Sequence, residues 1–375
     1  MQEEKLDITV QPHSYRAHTP IRRGRLELLC GGSDLNSQFI NAIGRIAVKR
    51  IPTYAFAKEL IHIERIDQTT GYRDSIPFNH DMMRERLKNT PCMNLDPEIS
   101  YLHDKYWKDV DYLSPDRPKH ENEKLVEAYV DEKNTNDDGE ILHVTTNHMK
   151  VYVDNELTSI YDRDYPLLLI SLKPREAFKC SLKAVVGIGI NDASWDACSN
   201  YCFDQETIPD MTILKLESAS RFDEYVLVQR SLEYFRIRAN LLKDEIRRLY
   251  GLEKQKTNKF IMTIRSEDHT MGEPINYEIQ SHPNIVSSSV SKPDHLVREI
   301  RLCVVAISQE TLLDSVCESI DRLVRKIDRF EKEFGKIAKP LAKPLAEPLV
   351  KPFDNPLDQL PAMEPKKPKR DKKKN

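Results

Sequence analysis

The run Glu267-Asp268-His269-Thr270 sets two carboxylates beside an imidazole, residue types that can act as a base, a proton relay or a metal ligand. A working base or nucleophile needs a partner in reach and a pocket, and no spacing in this chain supplies either. The local alternative is structural, because Asp268, His269 or Thr270 can cap a following helix and satisfy its free N–H groups. Cys198 and Cys202 form a C-x3-C pair, but a zinc site needs four ligands, usually as two close pairs. No second pair lies close in sequence, and His103 and His120 stand alone. Seven scattered cysteines, an odd number, fit reduced thiols in a cytosol-like compartment. Gly187-Ile188-Gly189 is only G-x-G, too short for a dinucleotide loop, though it would let a partner backbone approach closely. These residues therefore predict no catalytic group, no metal and no cofactor in this chain.

The elements that would position them are legible in the patterning. Residues 24–30 alternate like a strand, Gly31-Gly32 turns, and Ser33 or Asp34 is the expected cap of a helix reaching about Arg50. On that helix Leu35, Phe39, Ile43, Ile46 and Arg50 fall three or four apart, and Pro52 stops it. Residues 54–66 read as a strand or strand pair, and Asn79–Asn89 as a short helix. Residues 95–120 read as an irregular surface region. Leu125–Val130 and Ile141–Val153 read as a hairpin with a long loop, and residues 167–171 and 178–186 as further strands. Two long heptad seams come next. Val228, Leu232, Phe235, Ala239, Leu242, Ile246 and Leu249 form the first; Leu313, Val316, Ile320, Leu323, Ile327, Phe330 and Phe334 form the second. The last quarter reads strand (259–264), short helix, strand (298–306), long helix. The order suggests two similar α/β halves, each closed by a long helix, that pack on one another. Phe39, Ile43 and Ile46 would join the seams in that pairing.

Composition sets limits on partners. At 375 residues the chain can hold two or three domains. No apolar run is long enough to span a membrane, and the acidic start lacks a signal peptide's apolar core. From Lys336 to Asn375 there are eleven Lys/Arg against five Asp/Glu, so of the total charge of −3 the preceding chain carries −9. A body of that sign is a poor glove for phosphates, which leaves the tail for any direct nucleic-acid contact. In the tail Pro340, Pro344, Pro348, Pro352 and Pro356 recur every four residues, a pattern expected to be extended and disordered. Its Lys-rich end fits nuclear import, phosphate contact or simple solvation.

Four segments in order resemble the α-like subunits of cellular RNA polymerases. Asn41–Phe56 is similar to the family's N-A-L-R-R helix and its I-P-[ST] exit, keeping Asn41, Ala42, Arg45, Ile51, Pro52, Thr53 and Ala55. It has Gly44 for the first Arg and Arg50 where Glu is usual. Asp81–Pro91 is similar to the family's short helix before a proline. Gly187–Trp195 is similar to its K-G-[IL]-G loop, without the Lys and with an altered centre. Glu267–Gly272 is similar to the E-D-H-T-[LIM]-G motif of the smaller partner, with Glu273 and Pro274 in place of the family's usual Asn and Leu. The resemblance, over about residues 20–335, is to a larger and a smaller α-like subunit fused in one chain, as in large nucleo-cytoplasmic DNA viruses. It implies an α+β fold of two dimerisation folds paired within the chain, with a β-rich insert. The larger fold would occupy 1–92 and 205–252, the insert 93–204, the smaller fold 258–335 and the tail 336–375. It further implies a non-catalytic assembly platform that docks the two largest polymerase subunits and a small zinc-binding subunit. DNA would be met only indirectly and no membrane at all, in a cytoplasmic viral factory and the virion, or in the nucleus. Arg45, Gly187, Gly189, Asp192 and Trp195 would face the large subunits. The family's cysteine cluster has no counterpart, since residues 93–179 hold no cysteine, and no Asp-rich metal loop of a catalytic subunit occurs.

Overall fold

A computed structural model describes residues 6–337 apart from 18–23, 76–78, 137, 206–210, 220–222 and 254–255. Of the expected tail, 336–375, Lys336 and Ile337 end the last helix and the residues from 338 on lie outside the described ones. The chain is α+β, with two hydrophobic cores that account for most of its buried side chains.

The first core is built from two sheets and four helices. One antiparallel sheet has the order β1 (Thr9–Arg16), β2 (Arg25–Gly31), β13 (Met211–Ser218), β12 (Cys198–Gln205). Against it lie α1 (Ser37–Lys49) and α3 (Glu224–Leu252). The other sheet has the order β14 (Lys259–Arg265), β16 (Glu299–Ala306), β15 (Ile285–Ser291) and packs on α4 (His269–Gln280) and α5 (Gln309–Ile337). β14 alternates strictly between exposed and buried residues, as a one-sided sheet requires. All these elements feed one continuous cluster of apolar side chains. Phe39 of α1 stands at the join, with ring centroids 5.4 Å from Phe235 of α3 and 5.7 Å from Phe330 of α5. Ile43, Ile46, Leu232, Leu242, Ile246, Val316, Ile320, Leu323 and Ile327 are all buried there. Leu313 is not: it is half-buried and Leu312 takes the interior position, as Tyr250 does beside Leu249. The seam is edged by ion pairs from α3 to α5, Arg236 with Asp328 and Glu331 and Lys243 with Asp321.

The second core surrounds a sheet ordered β3 (Thr53–Phe56), β11 (Glu176–Gly187), β6 (Val126–Lys133), β8 (Lys150–Val153), β9 (Glu156–Leu157). β4 (His62–Glu64) and β5 (Arg73–Asp74) also pair with the long β11. A separate ribbon joins β7 (Leu142–Thr145) to β10 (Leu168–Leu172), and α2 (His80–Lys88) adds Met83 and Leu87.

Several expectations change. The boundary at 92/93 does not separate the cores, because Tyr54, Phe56, Ile61, Ile63, Met83 and Leu87 pack with the region expected to be an insert. At its other end β12 belongs to the first sheet, so the break at 204/205 falls inside a strand of that sheet. Within the second core β6 pairs with β8 and not with β7. A 3-10 turn over Thr146–His148, capped by Thr145, redirects the chain between β7 and β8. Residues 95–120 are irregular but not superficial: Leu95, Ile99, Leu102 and Trp107 are buried. Asn94, Glu98 and Asp109 in left-handed backbone conformations break the segment into turns. The cap of α1 is Asn36, whose side chain accepts from the Phe39 amide at 2.8 Å. Ser33 and Asp34 instead bond to Asp7, and Asp34 also accepts from Arg322 of α5. Strands β1, β12, β13 and β15 are not foreshadowed by the patterning; β1 and β12 are edge strands of mixed polarity, and β15 is serine-rich, so none shows a clear alternation.

Glu224, the first residue of α3, is fully buried, and among the described residues neither carboxyl oxygen bonds to another residue. Burial pushes its carboxyl up to about 7, against its own backbone N–H and with help from Asp223. A carboxyl raised on folding favours the fold below its ordinary value of 4.5, and that advantage is lost as pH rises through about 7. Glu224→Gln is therefore expected to raise the melting temperature at pH 8 and to leave it nearly unchanged at pH 5. The stability difference at pH 8 should be up to about 3 kcal/mol. Equal shifts at both pH values in calorimetry would contradict this.

Candidate functional site

The four sequence segments singled out above converge on the C-terminal end of α1. Its last residues, Lys49 and Arg50, each reach a different segment. Lys49 Nζ lies 2.8 Å from an Asp196 carboxylate oxygen, and the Lys49 carbonyl accepts from the Ile190 amide at 3.1 Å. This fastens the loop after β11. Thr53 Oγ1 donates to the Trp195 carbonyl at 2.7 Å. Lys88, near the end of α2, pairs with Asp192 at 2.6 Å.

Arg50 turns the other way, into the first core. Its guanidinium is 5% exposed and lies 3.4 Å from Glu267, which is wholly buried, and 3.2 Å from Asp268. Arg238 of α3 holds the other Glu267 oxygen, and Arg298 reaches Asp268 at 3.5 Å. Tyr234 is buried against Arg50, and the Tyr101 ring packs on Tyr234 at 5.5 Å. Three guanidinium groups thus surround two carboxylates at the contact of α1, α3 and the entry to α4. Burial alone would raise the Asp268 carboxyl, but Arg50, the Thr270 amide and Arg298 bring it down to about 2.

Asp268 is also the cap of α4, accepting from the Thr270 amide at 2.8 Å. The capping expectation therefore narrows to Asp268; His269 and Thr270 are the first helical residues. His269 turns outward to Glu273 at 2.9 Å. An aspartate held ionised by two arginines is a poor proton carrier near neutral pH. The arrangement suits clamping two chain segments together. α4 continues through Pro274, which is buried. The adjoining cavity, lined by Tyr101, Trp107, Ile188, Tyr234, Arg238 and Glu267, measures about 10 Å³ and suits a single water.

The expected interface residues are placed unevenly. Trp195 is buried, stacks on Tyr112 at 6.0 Å and donates its indole N–H to the Val185 carbonyl at 3.0 Å. Gly187 and Gly189 are buried too. A Cβ at Gly187 would come within 2.7 Å of the Trp195 ring, and one at Gly189 within 2.1 Å of Asp196 and 2.9 Å of the Val48 carbonyl. The close approach these glycines permit is thus to the chain itself. Trp195 offers no ring surface to a partner, because the ring fills a small cluster with Ala55, Ala57 and Val185. Asp192 is half-buried, caps the turn over Ala193–Trp195 and is held below the usual carboxylate range: burial opposes this, and Lys88 and the Ser194 amide outweigh it. Arg45 is half-buried on α1 near Tyr201.

Arg50, Arg238, Arg298, Tyr101 and Tyr234 form a site that the sequence patterning does not announce. The one signal is Arg50 itself, a charge at a position that continues the apolar face of α1. Cys198 is buried and Cys202 exposed, so the C-x3-C pair does not share one environment. Among the described residues no group of three or more His, Cys, Asp or Glu could hold a metal ion. None of their helices is long and apolar enough to cross a membrane.

Residues 259–333, from β14 through most of α5, match the model of the RNA polymerase Rpb3/Rpb11 dimerisation domain. Over 317 residues the chain is 21% identical to a protein of Acanthamoeba polyphaga mimivirus described as "Putative DNA directed RNA polymerase subunit". That similarity covers 79% of this chain and 86% of the viral protein. The two similarities agree: the last α/β layer resembles a polymerase dimerisation domain, and most of the chain resembles a viral polymerase subunit.

Proposed function

We propose that the chain is a non-catalytic assembly platform of a DNA-directed RNA polymerase, and that it is a larger and a smaller α-like half paired within one polypeptide. The observation that carries this is the single core. The segment matching a dimerisation domain buries its sheet and long helix in common with α1 and α3, and the Arg50 clamp ties the two together. A domain whose pairing surface is already filled is free to present its remaining surface to other subunits. Those would be the two largest catalytic subunits, where nucleotide addition and its Mg²⁺ belong, and a small zinc-binding subunit. The work would take place in a cytoplasmic viral factory, with packaging in the virion.

Purification of the protein from its native source tests the reading. Large polymerase subunits are expected in stoichiometric amount, and their absence would sink it. Arg45 is proposed to reach the second-largest subunit. Arg45→Glu should lower recovery of that subunit at least tenfold while shifting the melting temperature by less than about 4 °C, since a half-buried change that breaks no ion pair among the described residues costs about 1 kcal/mol. Unchanged recovery would remove Arg45 from the interface.

A second reading, nucleic-acid binding through the Lys-rich end, is favoured by the tail's charge alone. Duplex DNA binding compared with and without residues 338–375 separates the two. Strong salt-sensitive binding that depends on the tail supports the second reading.

A further inference from the structure

The outward face of the β14–β16–β15 sheet differs from the other exposed sheet face of the molecule. Strand register sets Lys259, Val305 and Ser287 in one row, Ile261, Cys303 and Ser289 in the next, and Thr263, Arg301 and Ser291 in a third. The alternate residues point into the core, where α4 and α5 cover them. In the middle row Ile261 is 51% exposed, and beside the rows Val286, at the register shift of β15, and Ile307, just after β16, are 66% exposed. On the outer face of the β11-centred sheet, by contrast, cations are matched across strands, Lys179 with Glu64 at 2.8 Å and Lys183 with Glu127 at 2.7 Å. Among the described residues Lys259, Arg265 and Arg301 form no ion pair, although Glu299 stands opposite Arg265 in register. These cations sit on a body whose charge before the tail is −9.

A face of small hydroxyl side chains with Ile261, Cys303 and Val305 at its middle and cations without ion-pair partners at its edges calls for an occupant of opposite charge. Nucleic acid is a poor fit: the face has no aromatic side chain on which a base could stack, and it offers few phosphate contacts. A second copy of the chain is a poor fit as well, because two such faces brought together would oppose cation to cation. We propose that this sheet face seats a protein segment rich in Asp and Glu with apolar side chains between them, supplied by another subunit of the assembly. The source of that segment rests on the function proposed above; the chemistry of the face does not.

Cys303, half-buried at the centre of the face, provides the measurement. Labelling with N-ethylmaleimide, read by mass spectrometry, compares the isolated full-length protein with the protein in its native extract. Exposed Cys202 on β12 serves as the internal reference. Cys303 labelling is expected to fall at least tenfold in the extract relative to Cys202, and to recover as salt is raised. A photo-cross-linker at position 261 should then join an acid-rich segment of a partner protein. Arg301→Glu together with Lys259→Glu should abolish both the protection and the cross-link. Equal labelling of Cys303 in extract and isolated protein overturns the proposal. So does protection by duplex or single-stranded DNA added to the isolated protein, or concentration-dependent protection of the isolated protein alone. Failure of the assembly reading shows differently, as loss of the large subunits on purification with Cys303 still protected.

Discussion

Replacing Arg50 by alanine is expected to lower the free energy of unfolding by about 3–5 kcal/mol, the usual cost of leaving a buried charge without its partner. Glu267, with no exposed surface, would keep Arg238, and the Asp268 cap would keep Arg298 and the Thr270 amide. The cost combines the lost charge-assisted contacts of Arg50 with the weaker neutralisation of a fully buried carboxylate. A paired replacement, Arg50→Met with Glu267→Leu, should not recover the loss, because it strips Arg238 of its carboxylate. Urea unfolding followed by tryptophan fluorescence checks both, and Trp107 lies beside the cluster. A loss under about 1 kcal/mol for Arg50→Ala would show that the clamp is not where the segments are held. The same cluster gives an acid limb. Because the Asp268 carboxyl is depressed to about 2, its contribution is fully present above its ordinary value of 3.8 and is lost as pH falls through about 2. That contribution is about 2 kcal/mol and should shrink in Arg50→Ala, where the Thr270 amide and Arg298 remain.

Phe39→Ala is expected to cost about 3–5 kcal/mol, the range for deleting a buried aromatic ring. The ring touches Phe235 and Phe330, one from each long helix, so the cavity opens at the contact of α1, α3 and α5. Phe39→Leu should cost less, because the join stays filled. Urea-induced exposure of the buried thiols Cys30 on β2 and Cys317 on α5, read by thiol labelling, should still occur together in the variant if the first core unfolds as one unit. Separate transitions in the wild-type protein would mean that the two sheets and their helices are independent, against their single shared apolar cluster.

The two heptad seams are legible because their apolar spacing is local, and α3 and α5 follow it closely, with Leu312 for Leu313 as a shift of one position. The short helix α2 and its caps Asn79 and Asn89 are legible for the same reason. The α1 cap is not, because Ser33, Asp34 and Asn36 are equally good capping side chains, and only the pull of Asp7 and Arg322 on the first two leaves Asn36 to do it. The strap over residues 95–112 reads as surface because its polar residues outnumber its apolar ones. Its few large side chains nevertheless bridge the cores: Asp96 pairs with Arg230, and Tyr101 packs on Tyr234.

By itself the sequence determined which segments matter and that the chain is α+β, because helix and strand periods and short motifs are properties of neighbouring residues. Only the tertiary structure decided where the motifs sit and what they touch. Gly187, Gly189 and Trp195 are packed against their own chain, and Arg50, a departure from the family pattern, is the centre of the site. The physical reason is distance along the chain. Arg50 and Glu267 are 217 residues apart, and the sign and burial of such a pair depend on a fold that no local pattern contains.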